Sequence, residues 1–201
     1  LSKETDAYTY SYYFSKDRNG LLSGFPLWDV DRSLGNSSYG YANAPFGMKW
    51  WVVGSNYTYY PRLQQDPEFV DRIWNRWTEL RRSHFAKDRL FGRIESAYTL
   101  LTDGSRADIV SASTPATMAV QVPAARHFRK YPHLGTVSFV GGQGGQANRT
   151  TWRQEVDALK SWIAERLEWM DGAPQATDAS TLTERLRPTE ILNAATGTPF
   201  Y

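Results

Sequence analysis

The chain has 201 residues, enough for one sizeable core and short for two. Its 23 basic and 21 acidic side chains leave a net charge of +2, which argues against the clustered basic footprint that nucleic acid or an anionic membrane requires. Zero cysteines exclude disulfides, thiol catalysis and cysteine-based zinc sites, and no apolar run is long enough to span a bilayer.

The chain opens with Asp6 ahead of an aromatic run, Tyr10-Ser11-Tyr12-Tyr13-Phe14. Aromatics at this density favour a pleated, half-buried strand. Asn19-Gly20 then predicts a hairpin with a type I′ turn, because both central residues of that turn need positive φ. The return strand leads into Trp28-Asp29-Val30-Asp31. A hairpin brings its two flanks together, so Asp6 can meet Asp29 and Asp31. Converging carboxylates suit a hard cation and a proton acceptor. Taken alone, the Asp29/Asp31 pair also fits a turn that caps backbone groups, and Asp6 fits a helix or turn cap.

Residues 35–61, rich in Gly, Asn, Tyr and Pro, read as a long irregular loop with a short buried segment at Trp50-Trp51-Val52-Val53. Asp66-Pro67 opens a helix, Asp as N-cap and Pro at the first helical position. Val70, Ile73, Trp74, Trp77 and Leu80 form its apolar face, which is more often core than a sugar-stacking platform. A second helix is predicted from about Asp88 to Leu101, with Leu90, Phe91, Ile94, Ala97, Tyr98 and Leu101 inward and Asp103-Gly104 as its stop. Residues 105–121 are Ser/Thr/Ala-rich and carry no clear period. A short helix near Pro123–Tyr131 follows, then Gly141-Gly142-Gln143-Gly144-Gly145. That loop lacks the Lys-Ser/Thr of a phosphate-binding loop and reads as surface. The last helix starts at Thr150 or Thr151 and runs to about Met170, with Val156, Leu159, Ile163, Leu167 and Met170 as its stripe and Asp171-Gly172 as its end. The tail 173–201 is weakly patterned. His84, His127 and His133 have no metal spacing and read as surface or helix-end residues. Asn36-Ser37-Ser38, Asn56-Tyr57-Thr58 and Asn148-Arg149-Thr150 match the glycosylation pattern, which arises often by chance. The composition gives an α+β, mainly α, single domain over 1–201 with a small β-hairpin at its front.

Four blocks resemble one family in order and spacing: Leu1 to Tyr8 with the hairpin and Trp28 to Asn36; Pro61 to Phe69; Ala124 to Pro132; and Glu155 to Asp171. The family is that of the CotH-type atypical kinases, named after a spore-coat protein. The resemblance implies a protein-kinase-like C-terminal lobe that transfers phosphate from ATP to protein hydroxyls with Mg²⁺ or another divalent cation. It implies Asp6 as the catalytic-loop aspartate, Asp29 as the metal-binding aspartate and Asp31 as a second acid of the same metal motif. Val30 stands where the family carries phenylalanine, Arg32 where it is apolar and Glu4 at an asparagine-like position, and these departures weigh on the cation site. The family's preceding half, with its phosphate-binding lysine, is absent, and Lys3 and Lys16 do not match that lysine. The chain therefore reads as the C-terminal part of such a domain, expected in a spore coat or secreted by a bacterium. Its partners would be a protein substrate or the missing N-terminal part, with no nucleic acid and no membrane span. The alternative is a non-catalytic interaction module of a secreted bacterial assembly, beside extracellular polysaccharide-associated modules.

Overall fold

Asp66 accepts a hydrogen bond from the Glu68 amide at 3.0 Å and so caps the helix that begins at Pro67. The computed structural model describes residues 1–4, 13–24, 28–37, 43–45, 60–63, 65–102, 122–135 and 149–171. Within them lie strands β1 (Phe14–Ser15) and β2 (Ser23–Gly24), and helices α1 (Tyr60–Leu63), α2 (Pro67–Arg81), α3 (Lys87–Thr102), α4 (Pro123–Lys130) and α5 (Trp152–Met170). The described residues are mainly helical with one small two-stranded antiparallel sheet, as the sequence predicts.

Helix α5 is the centre of the packing. Thr151 and Gln154 form a reciprocal capping box at its start, and the Asp171 amide reaches back to Leu167 O at its end. The five-residue stripe read from the sequence understates what it buries. Trp162, Arg166 and Trp169 are buried too, so the helix is covered on more than one side. Val70 and Trp77 of α2 join Trp162, Ile163, Leu167, Trp169 and Met170 in one core, with Ile73 and Trp74 packed against it. The tryptophan face of α2 is therefore core. Burying a large side chain of this kind contributes about 1.5–3 kcal/mol.

Two polar clamps fix the helices in register. Asp171, just past α5, accepts from Trp77 Nε1 at 3.0 Å and from the Arg81 guanidinium at 2.8 Å, joining the ends of α2 and α5. On the other side, Glu95 of α3 takes a two-pronged contact from Arg153, at 2.7 Å on each prong, and a third from Lys160 at 2.6 Å. Those two cations pull the Glu95 carboxyl down to about 2. A smaller cluster, Val122, Ala124, Ala125 and Leu134, with Phe128 of α4 packed on it, seats α4 against Trp152.

Three expectations change. Asn19-Gly20 does not make a type I′ turn: neither residue has positive φ, and Gly20 instead closes a turn by donating to Asp17 O at 3.1 Å. The paired strands are only two residues each, Phe14 opposite Gly24 and Ser15 opposite Ser23, with residues 16–22 between them. The first strand is exposed rather than half-buried, with Tyr13 at 51% and Phe14 at 46% exposure. A sheet this small has no second layer to cover it among the described residues, so strand propensity wins no burial. On α3, Ala97 and Leu101 face outward and Tyr98 is the buried residue of the stripe. His84, His127 and His133 are exposed, as expected. Asp6, Trp50-Trp51, Gly141–Gly145, the stretch 105–121 and the tail 173–201 lie outside the described residues.

Candidate functional site

The segment 28–37 is built as a chain of tight turns. Ser33 donates its hydroxyl to Val30 O at 2.7 Å, and the Asn36 side-chain amide donates to Asp31 O at 2.9 Å. The Asn36 amide closes a turn onto Ser33 O at 3.0 Å. Its two central residues, Leu34 at φ 55° and Gly35 at φ 83°, both have the positive φ that a type I′ turn demands. The primed turn of this chain thus falls at Leu34-Gly35 and not at Asn19-Gly20.

Backbone in the left-handed region gathers here. Among the described non-glycine residues it occurs at Lys3, Asp29 (φ 58°) and Leu34. Aspartate tolerates this region better than most side chains, whereas leucine does not. Such conformations persist only where surrounding contacts impose them, and they cluster at functional sites. The contacts are visible: Leu34 N donates to Ser2 O at 2.7 Å, and Lys3 Nζ donates to Ala44 O at 2.9 Å.

Helix α5 supplies the floor. Trp162 lies so close under Gly35 that a Cβ there would stand 2.7 Å from its Cδ1. Its indole Nε1 donates to Asn43 O at 2.6 Å, and Asn43 in turn exchanges two bonds with the backbone of Ser37, at 2.7 and 2.6 Å. One turn further along, buried Arg166 donates to Pro45 O at 3.0 Å and stacks on Trp169 at 4.6 Å. Burial lowers its guanidinium to about 9, which leaves it charged at neutral pH.

Between the turn and the helix lies a cavity of about 470 Å³. Asp31, Ser33, Asn36, Asn43, Arg149 and Glu155 give it polar groups, and Val30, Leu34, Leu159 and Trp162 give it apolar walls. Arg149 Nε donates to Glu155 Oε2 at 2.8 Å. Burial raises the Glu155 carboxyl above its ordinary value, and the pull of Arg149 in the other direction does not cancel it.

The sequence-predicted acids separate in this frame. Asp31 lines the cavity, Asp29 sits beside it on the exposed turn, and Asp6 lies outside the described residues. No group of three or more His, Asp or Glu suited to a metal occurs among the described residues. A pair of carboxylates nonetheless fits Mg²⁺, which takes one or two and keeps several waters. Among the described residues Lys16 reaches Asp17 O and Arg18 O at the hairpin tip, at 3.2 and 3.4 Å. Sequence reasoning missed Gly35, Asn43, Arg149, Glu155 and Trp162. Gly35 carried a local signal, since a glycine between leucine and asparagine suits a turn. The others did not, because Glu155 looks like any acid in a first helical turn and Trp162 lies off the apolar stripe.

A family model described as CotH kinase protein matches residues 1–170. No curated protein and no solved structure matches the chain.

Proposed function

The chain belongs to the CotH kinase protein family, and from that premise we propose that it carries a phosphoryl-transfer site of protein-kinase-like type, acting from ATP onto protein hydroxyls. The observation that carries this reading is the position of Asp31, whose turn closes over a polar cavity on α5 while Asp29 stands next to it in a constrained backbone. Asp29 and Asp31 would hold a divalent cation, and that cation would neutralise charge on the nucleotide phosphates. Asp6 would accept the proton of the acceptor hydroxyl. The apolar walls, Val30, Leu34, Leu159 and Trp162, would limit water around the transferring group. The stacked turns, the Ser2 contact and the Trp162 floor would keep the carboxylates in place, so that little reorganisation is needed at the moment of transfer. The whole would act as the C-terminal lobe of a kinase-like domain, with a protein substrate as its partner and a spore coat or bacterial exterior as its setting.

A second reading, a non-catalytic interaction module, is favoured by the apolar side chains of the hairpin region. Leu21 is 90% exposed, Leu22 62% and Trp28 58%. Exposed large apolar side chains suit a protein partner.

Asp29→Asn separates the two readings. Asparagine also tolerates a left-handed backbone, so the fold should stand. In the intact protein, phosphate transfer from labelled ATP should fall to background, and Mg²⁺-dependent nucleotide binding should weaken by about tenfold or more, since a main carboxylate anchor is lost. Binding and transfer equal to the wild type would remove the kinase reading and leave the interaction module.

A further inference from the structure

Helix α4 carries Arg126, Arg129 and Lys130, all exposed. Residues three and four apart are neighbours on a helix surface, so these cations share one face. The other face is fixed in the fold: Ala124 and Ala125 are buried with Val122 and Leu134, and Phe128 packs on them. The charges are therefore displayed on a seated helix.

Their neighbourhood lacks acids. The sequence has no Asp or Glu between Asp108 and Glu155. Among the described residues no carboxylate pairs with Arg126, Arg129 or Lys130. Helix α2 shows the contrast, because its Arg72, Arg76 and Arg81 each pair with a carboxylate. A helix C-terminus carries about half a negative charge, which a single cation answers. Arg126 lies before the last turn of α4 and owes nothing to that effect. Like charges one turn apart repel, so the grouping is unfavourable until an anion arrives. Beside it Tyr131 is 43% exposed, and Lys130 Nζ lies over its ring at 5.1 Å. That contact holds the ammonium in place and lowers the ordering cost of binding.

The size of the patch decides the partner. A nucleic-acid site draws on about 6–10 phosphate contacts, and an anionic membrane on about 4–8 basic residues. Arg126, Arg129 and Lys130 fall short of both. Arg126 and Lys130 stand about 6 Å apart along the helix axis, close to the ~6.6 Å between side chains on one face of an extended strand. We propose that the outward face of α4 is a docking site for a short acidic segment of a protein partner, whose carboxylates bind Arg126, Arg129 and Lys130. The proposal stands whether or not the cavity at Asp31 transfers phosphate.

The test is fluorescence anisotropy of a labelled hexaglutamate peptide with the full chain. The wild type should bind it, and added salt should weaken binding. Arg126→Gln, Arg129→Gln and Lys130→Gln together should weaken binding by about tenfold or more, at roughly twofold to fivefold per exposed charge. Arg82→Gln, Arg89→Gln and Arg93→Gln together remove the same net charge from other exposed positions and should leave binding unchanged. Glutamine is a good helix former, and circular dichroism checks that both variants fold. If the α4 variant does not fold, Arg129→Gln alone decides, with a loss of roughly twofold to fivefold expected. No peptide binding by the wild type, wild-type affinity in the α4 variant that decides, or an equal loss in the control variant overturns the proposal. A single-stranded oligonucleotide or a phosphatidylserine vesicle that binds more tightly than the peptide, and loses that binding in the α4 variant, also overturns it.

Discussion

Gly35 shows how one residue fixes the site. Its φ of 83° favours glycine, and its Cα presses on the indole of Trp162, leaving no room for a Cβ. Gly35→Ala therefore meets two penalties. The left-handed backbone costs about 1–2 kcal/mol, and the overlap with Trp162 adds to it by displacing the ring or the turn. The expected outcome is a lowered thermal midpoint together with a shifted tryptophan emission, since the floor of the cavity moves. An unchanged midpoint and spectrum would mean that the turn does not rest on Trp162. Asp29 illustrates the opposite case. Its backbone is constrained but tolerable for Asp and Asn alike, so Asp29→Asn adds no backbone strain.

At the scale of elements, the clamp between α3 and α5 has a pH dependence whose sign follows from Glu95. Its carboxyl, held down to about 2 by the Arg153 and Lys160 contacts, binds protons less readily folded than unfolded. The stabilisation is thus fully present above the ordinary carboxylate value of about 4.3 and is lost as pH falls towards 2. Glu95 is 37% exposed, so solvent screening makes the gain smaller than the shift alone suggests. Glu95→Gln should melt below the wild type at pH 7. The gap should narrow between pH 4.5 and pH 2, and high salt should shrink it. A gap that stays constant through that window would remove the electrostatic account of this clamp. The hairpin makes a related point about elements. Its aromatics and its Asn-Gly pair agree with strand and turn propensity, yet two-residue strands with no covering layer among the described residues bury almost nothing.

For the whole molecule, α5 is both the core and the floor of the cavity, and stability and site are coupled through it. Trp162 carries the link: its ring packs in the core, while its Nε1 holds Asn43 and, through Asn43, Ser37. Trp162→Phe keeps an apolar ring and removes that donor. The expected cost is about 1–3 kcal/mol, because a carbonyl loses its partner. On the phosphoryl-transfer reading, Mg²⁺-dependent nucleotide affinity should fall with it, although helix content by circular dichroism stays unchanged. Unaltered nucleotide affinity would show that residues 28–37 and 43–45 hold their shape without the central helix.

The sequence by itself determined α2, α3, α4 and α5, but not the four-residue α1, whose first residues fall in the stretch read as a loop. Asp66-Pro67 and the Thr151/Gln154 box mark starts by hydrogen-bonding chemistry that is local, and the period of Val70, Ile73, Trp74 and Trp77 marks the buried face of α2. It also carried the family, through blocks whose order and spacing are written along residues 1–170. The same blocks marked Asp29 as the candidate metal-binding aspartate and Asp31 as a second acid beside it. Only the tertiary structure decided which residues share the cavity with Asp31. Arg149, Glu155 and Trp162 lie far from it along the chain and carry no local mark, because a side chain that acts through space leaves no period or motif in its own neighbourhood. The primed turn moved from Asn19-Gly20 to Leu34-Gly35 by the same logic. Propensity proposes positive φ wherever glycine stands, but packing against Trp162 and the hydrogen bond to Ser2 hold it at Leu34-Gly35 and not at Gly20.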